Sequence, residues 1–314
     1  MTNPSAEVNS TPQSPIADTS YRNYDGPLRP HRFRWWIIAR TTAGVALRRK
    51  GFWFLAVMAL LPYLGSGFQL YLRSQAPQGI AQFLGDRPLT SLFYEAFAMS
   101  QLWICLLCLM VGSGSIAGDN RTNALQIYLA RPITKGDYLG GKWAGVFLVL
   151  AAAGVIPNLI LYLYCLGSLG DQQSFKDHPY LLVQAVGCGL IPATLHSSIM
   201  VGISAWFKRP VLVGGLYAGL YFGSGILSTI ASLIVRRSGN AEHVATVFHL
   251  GVERIFQGLA QHIYDVLPTM FGARMRGPQE KPDLMIILAL AVALGTIGLL
   301  AARLRVRAVE VVKG

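Results

Sequence analysis

The chain has 314 residues, 53% of them hydrophobic and only 13% charged, with a mean hydropathy of +0.43. These values lie outside the range of soluble globular domains and point to an integral membrane protein. The net charge of +12 reads as basic residues flanking helices at an anionic leaflet; a nucleic-acid role would need a compact basic face with interleaved aromatics on a soluble domain, and the sequence contains none.

The first thirty residues are rich in Ser, Thr, Pro and Asn and too poor in large apolar side chains to fold alone, so they are expected to form a disordered tail. They lack the short apolar core and small-residue cleavage site of a secretory signal. His31 to Lys50 mixes Trp35 and Trp36 with six basic residues, in the manner of a helix at lipid headgroups. Its amphipathicity is poor, because Arg40 falls on the same side as Trp36 and Leu47.

Six uncharged runs meet or approach the roughly 20 residues that a helix needs to cross about 30 Å of hydrocarbon. They cover 52–72, 96–117, 143–166, 181–207, 211–235 and 284–302. Barrel strands would be about half as long and would alternate polar with apolar. The expected fold is therefore an all-α bundle of six transmembrane helices. Positive charge sets its orientation: with the N-terminus inside, eighteen of the 27 Lys and Arg residues fall on the inner side, and six of the other nine lie in the long 236–283 loop, where the rule is weak. Both termini are accordingly placed in the cytoplasm. Glu95 sits at the outer edge of the second run, where it is expected to touch headgroups or water.

Cys105, Cys108, Cys165 and Cys188 all fall within the runs. The Cys105–Cys108 pair has the CxxC spacing of redox or zinc sites, but its surroundings are apolar and no second pair complements it, so packing is the expected role. His196, in the fourth run, is expected to be neutral and bonded to a neighbouring Ser or carbonyl.

The polar stretch Gly118 to Trp143 interrupts this apolar background. Asp119 or Asn120 can cap a short helix in which Ala124, Leu125, Tyr128 and Leu129 recur on one side. Pro132 stops it, and Thr134 with Asp137 three positions on signals a newly capped helix leading into the third span. An apolar stripe with Arg121 and Arg131 exposed suits docking into a groove on a soluble partner. Gly136 to Lys142 fills seven positions of a phosphate-binding loop, but position eight is Trp143 rather than Ser or Thr and no strand precedes it. No ATPase activity and no cofactor are expected in this chain.

In the fifth span Gly215, Gly219 and Gly223 repeat every four residues, a face that lets another backbone approach from within the subunit or from a second one. Ser224, Ser228 and Thr229 add hydroxyls that line a path or bond back to carbonyls. Between spans five and six, Val244, Phe248, Val252, Ile255, Leu259, Ile263 and Val266 predict one amphipathic helix on the outer leaflet.

From Ala117 to Lys142, ending in LARPITKGDYLGGK, and again at the Lys208–Arg209 pair and the basic tail RLRVRAVEVVK, the sequence resembles permease subunits of the type-2 ATP-binding cassette (ABC-2) exporters. Asp119 stands where many members have Glu. The resemblance implies a dimeric, multi-pass permease of the inner membrane, paired with a second permease through spans two and five and driven by a cytoplasmic ATP-binding cassette ATPase. It further implies that Asp119, Asn120, Arg121, Leu125, Tyr128 and Leu129 form the coupling helix held by that ATPase. Three other classes fit the spans less well. An anchoring subunit would show no partner-stimulated ATPase activity, an intramembrane enzyme would need paired polar groups deep in neighbouring spans, and an ion-coupled transporter would usually carry mid-membrane carboxylates.

Overall fold

The computed structural model describes residues 33–75, 88–124, 133–169, 173–239, 241–267 and 280–306. The expected tail over 1–30 lies outside them, as do Leu125, Tyr128 and Leu129. The described chain is all helical: α1 (Arg34–Leu47), α2 (Lys50–Gln75), α3 (Leu89–Gly112), α4 (Ala117–Thr122), α5 (Lys135–Leu169), α6 (Gln173–Lys176), α7 (Leu181–Trp206), α8 (Pro210–Arg237), a 3₁₀ turn (Ala241–His243), α9 (Val244–Phe248), α10 (Val252–Ile263) and α11 (Leu284–Arg305). Six helical stretches are long and apolar enough to cross a membrane: Lys50–Arg73, Leu89–Thr122, Lys135–Leu169, Leu181–Trp206, Pro210–Arg237 and Leu284–Arg305.

Two of these begin earlier than the uncharged runs suggest. α3 starts at Leu89 because Thr90, Ser91 and Glu95, which break the run on paper, are buried among neighbouring helices. Glu95, expected in water or among headgroups, retains only 9% of its exposure. α5 starts at Lys135 because Thr134 and Asp137 form the expected reciprocal cap: the Asp137 backbone N–H donates to Thr134 Oγ1 at 3.1 Å, and Asp137 Oδ2 accepts from the Thr134 N–H at 3.2 Å. Its 35 residues make a rod of about 52 Å at 1.5 Å per residue. That exceeds the hydrocarbon by several turns, and Lys135, Asp137 and Lys142 mark the end that protrudes.

α3 and α7 form the centre. Leu92, Phe93, Phe97, Leu107, Met200 and Val201 are almost wholly buried. α2, α8 and α11 lie outside and turn large apolar side chains outward, such as Leu64, Phe68, Leu216, Leu227, Val292 and Leu300. Such a belt is stable only against lipid. Glycines set the helix approaches. A Cβ built on Gly154 would lie 3.0 Å from the Gly189 carbonyl oxygen, joining α5 to α7, and one on Gly202 would lie 2.5 Å from that of Gly298, joining α7 to α11.

α1 crosses the protruding part of α5 in the same way. Cβ atoms on Gly141 and Gly145 would lie 2.7 Å from the Trp35 carbonyl oxygen and 2.6 Å from Thr42 Cβ. The buried face of α1 is therefore small and partly polar, carrying Ile38, Ala39, Thr42 and Ala46, while Trp36, Arg40 and Leu47 face outward together. This explains the poor periodicity of the sequence.

The single outer helix expected over Val244 to Val266 is broken. His249 and Leu250 turn, Gly251 is extended, and a Cβ on Gly251 would come within 2.9 Å of Gly225 Cα in α8. The Val252 N–H donates to Ser224 Oγ at 2.9 Å, which fixes the start of α10 on α8. From there Ile255, Phe256, Leu259 and Ala260 are buried in the bundle instead of resting on lipid.

Candidate functional site

α3 gives way to α4 through the turn Ser113–Ile116, where backbone groups lose their helical partners. α7 supplies replacements. Ser204 Oγ accepts from the Ile116 and Ala117 N–H groups at 3.1 and 2.9 Å and donates to the Ser113 carbonyl at 3.1 Å. Asn120 reciprocates: its Nδ2 donates to the Ala205 and Phe207 carbonyls at the C-terminal end of α7, at 3.1 and 3.3 Å.

Asp119 was expected to cap α4, but the helix already begins at Ala117 and its first N–H groups are taken by Ser204. The Asp119 carboxylate turns instead to α5, where Oδ2 accepts from Tyr138 OH and pairs with Lys142 Nζ, each at 2.7 Å. Tyr138 and Lys142 are one helical turn apart, so both reach the same oxygen, and the ammonium lies 5.7 Å from the Tyr138 ring centre. Tyr138 is fully buried, and the ion pair keeps 10% and 18% of its side-chain exposure. At this shielding the attraction is only weakly screened. α4 ends at Asn123, which adopts the left-handed conformation (φ 56°) with its N–H on the Asp119 carbonyl.

The proposed coupling residues therefore divide. Asp119 and Asn120 face inward and bind α4 to α5 and α7, whereas Arg121 is exposed. Sequence reading missed Tyr138, Lys142 and Ser204 as parts of this junction. The i, i+4 spacing of Tyr138 and Lys142 was available as a signal, but no local pattern names Ser204. The junction stands at the basic end of the bundle, near Arg49, whose Nη1 donates to the Met110 carbonyl at 3.0 Å, and Arg305, whose guanidinium lies 5.5 Å from the Trp206 ring centre.

In the bundle interior His196 bonds through Nδ1 to the Tyr217 hydroxyl of α8, not to a Ser or a carbonyl, and its ring lies 4.7 Å from that of Phe256. All four cysteines are unbridged and buried. Gly215, Gly219 and Gly223 meet nothing: a Cβ on any of them has no heavy atom within 4 Å, so this face packs against no described part of the chain.

At the far end, α9 and α10 close the bundle through a polar cluster. His249 Nδ1 donates to the Ala245 carbonyl at 2.8 Å, leaving Nε2 to accept from Gln261 Nε2 at 3.0 Å, and Gln261 also donates to Tyr94 OH at 3.1 Å. The Nε2 contact requires a neutral ring, whereas Nδ1 would donate to Ala245 in either state, and burial lowers the His249 pKa from 6.5 to about 4. A histidine lowered in the folded state leaves stability intact above its unfolded value and loses it as pH falls from 6.5 towards 4. Acidification from pH 7 to 5 is expected to cost about 2 kcal/mol through this group. Unfolding midpoints of the native chain and of His249→Gln at the two pH values check this, the variant losing that part of the decrease.

A family model described as ABC-2 family transporter protein matches residues 35–302, from the first turn of α1 to the last turn of α11. No curated protein matches the chain. Six apolar helices and a family match over most of the sequence agree in class: the chain belongs to the ABC-2 family of transporters and is a multi-pass membrane permease of an ATP-binding cassette transporter.

Proposed function

We propose that the chain is the membrane subunit of an exporter that hydrolyses no ATP itself and is moved by a separate cytoplasmic ATPase. In this reading the basic end, with both termini, faces the cytoplasm of a cell whose inner membrane holds the protein. The ATPase grips the segment from Arg121 through Leu125, Tyr128 and Leu129, and two permeases pair along the open α8 face of Gly215, Gly219 and Gly223 to enclose the substrate path.

The observation that carries the reading is the junction of α4. A segment meant to transmit force must be fixed rigidly to the helices it moves, and here Asp119, Asn120 and Ser204 tie α4 to α5 and α7 at once. ATP-driven closure of two ATPase subunits would press the two α4 segments together and repack spans at the permease seam. The free energy comes from the difference in partner affinity between the two states.

Replacing Leu125 and Leu129 together by Asp places two charges in the apolar stripe offered to the partner. Co-purification of the ATPase should be lost while membrane insertion and the monomer's unfolding midpoint stay unchanged. Survival of both the complex and transport in this variant would overturn the assignment.

A further inference from the structure

The face of α1 turned away from α5 carries an arrangement that packing within the subunit does not explain. Trp36, Arg40, Gly44 and Arg48 recur every four residues and so form one row on the helix surface. The Arg48 N–H still donates to the Gly44 carbonyl at 3.3 Å, which carries the row just past the end of α1. Phe33, Ile37 and Leu47 lie beside it, 69%, 65% and 43% exposed. Two exposed arginines thus stand within an apolar outer face. Among the described residues neither guanidinium has an ion pair or a side-chain hydrogen bond, whereas the neighbouring Arg49 donates to the Met110 carbonyl. Gly44 weakens the helix interior it occupies, yet no close approach requires it, since a Cβ there would meet nothing within 4 Å. Its missing side chain leaves a notch between the two arginines, which stand roughly 12 Å apart along the axis. Trp36 marks one end of the row. Trp53, 59% exposed at the start of α2, marks the other by donating its Nε1–H to the Leu47 carbonyl at 3.0 Å. Exposed tryptophans at the ends of membrane helices settle among headgroups, which puts the notch at the depth of lipid phosphates.

We propose that this notch binds the phosphate of an anionic phospholipid, with Arg40 and Arg48 reaching it from either side of Gly44 and the acyl chains lying against Ile37 and Leu47. A guanidinium presents a planar fork that matches two phosphate oxygens at once, so two opposed arginines can share one phosphodiester. Charge selects the headgroup. A phosphodiester offsets one of the two arginine charges, and a headgroup with its own ammonium would bring a third cation to the same place, so a net-negative headgroup is favoured. A soluble phosphate would gain nothing from the apolar residues around the row. Binding is a property of this chain alone, so the site stands or falls independently of any partner ATPase.

The probe is phosphatidylglycerol, titrated into the delipidated full-length chain in a nonionic detergent, with native mass spectrometry giving the affinity of the first lipid bound. Phosphatidylcholine with the same acyl chains is the control for headgroup charge, and glycerol 3-phosphate in large excess is the control for a soluble anion. Arg40→Gln combined with Arg48→Gln removes the charges. Gly44→Leu keeps both charges and fills the notch from a position where a Cβ meets nothing, so the helix accepts it without a clash. Lys208→Gln combined with Arg209→Gln removes the same charge from two exposed positions elsewhere. The expected result is that phosphatidylglycerol binds at least tenfold more tightly than phosphatidylcholine and is not displaced by glycerol 3-phosphate. That preference should be lost in the paired arginine variant and in Gly44→Leu, and kept in the paired change at Lys208 and Arg209. Equal affinity for the two lipids, displacement by glycerol 3-phosphate, an unchanged preference in either α1 variant, or the same loss from the change at Lys208 and Arg209 would each overturn the proposal.

Discussion

Lys142→Met is expected to destabilise the chain by about 3–5 kcal/mol, the cost of breaking a shielded ion pair and leaving one charge behind. The residual charge would be that of Asp119, which keeps the Tyr138 hydroxyl at 2.7 Å but loses the ammonium at the same distance. One neutral hydrogen bond does not offset a carboxylate held at 18% exposure. Adding Asp119→Asn should restore most of the loss, because the pair is then replaced by two neutral groups of similar volume, so the two changes combine non-additively. Denaturant unfolding of the four chains of this cycle in mild detergent measures the coupling. Additive losses would mean that the two groups act independently. The same variant separates holding from transmitting: Leu125 and Leu129 are untouched, so the ATPase should still co-purify with Lys142→Met while its stimulation by the permease falls.

Much of this architecture was legible in one dimension, and the parts that were not share a cause. The six spans follow from hydropathy, because lipid imposes the same demand on every outward side chain. Their ends do not, since Thr90, Ser91 and Glu95 are polar yet buried by neighbours that are distant in sequence. The Thr134–Asp137 cap was readable because all its atoms belong to four consecutive residues. The cap of α4 was not, because Ser204 comes from a helix more than eighty positions away. Asp119 was legible in the polar stretch as a possible helix cap, but its role changed to ion-pair partner once Lys142 was seen to reach it. The 3.6-residue period of 244–266 was correctly helical, yet it carried no sign of the break at Gly251, which is set by the close approach of Gly225.

Gly202→Val should prevent α11 from docking and cost at or above about 3 kcal/mol, the upper end of overpacking penalties. Spacing singled out the glycines of α8, whereas the contacts that hold this subunit together run through other glycines. A Cβ on Gly202 would lie 2.5 Å from the Gly298 carbonyl oxygen and 2.8 Å from its Cα, and one on Gly298 would lie 2.5 Å from the Ser198 carbonyl oxygen. These are backbone atoms of rigid helices, so no rotamer change relieves the clash and the helices must separate. This crossing lies at the centre of α11's contact with the bundle, where Gly298 and Ala302 are two of its three buried residues. Valine is a better helix former than glycine, so any loss must come from the crossing and not from α7 itself. Monodisperse yield in mild detergent and the unfolding midpoint should both fall sharply. The same change at Gly219, where a Cβ meets nothing, should leave the monomer's midpoint unchanged and weaken only the association of two permeases. Equal damage at the two positions would show that the Gly219 face of α8 is packed within the subunit after all.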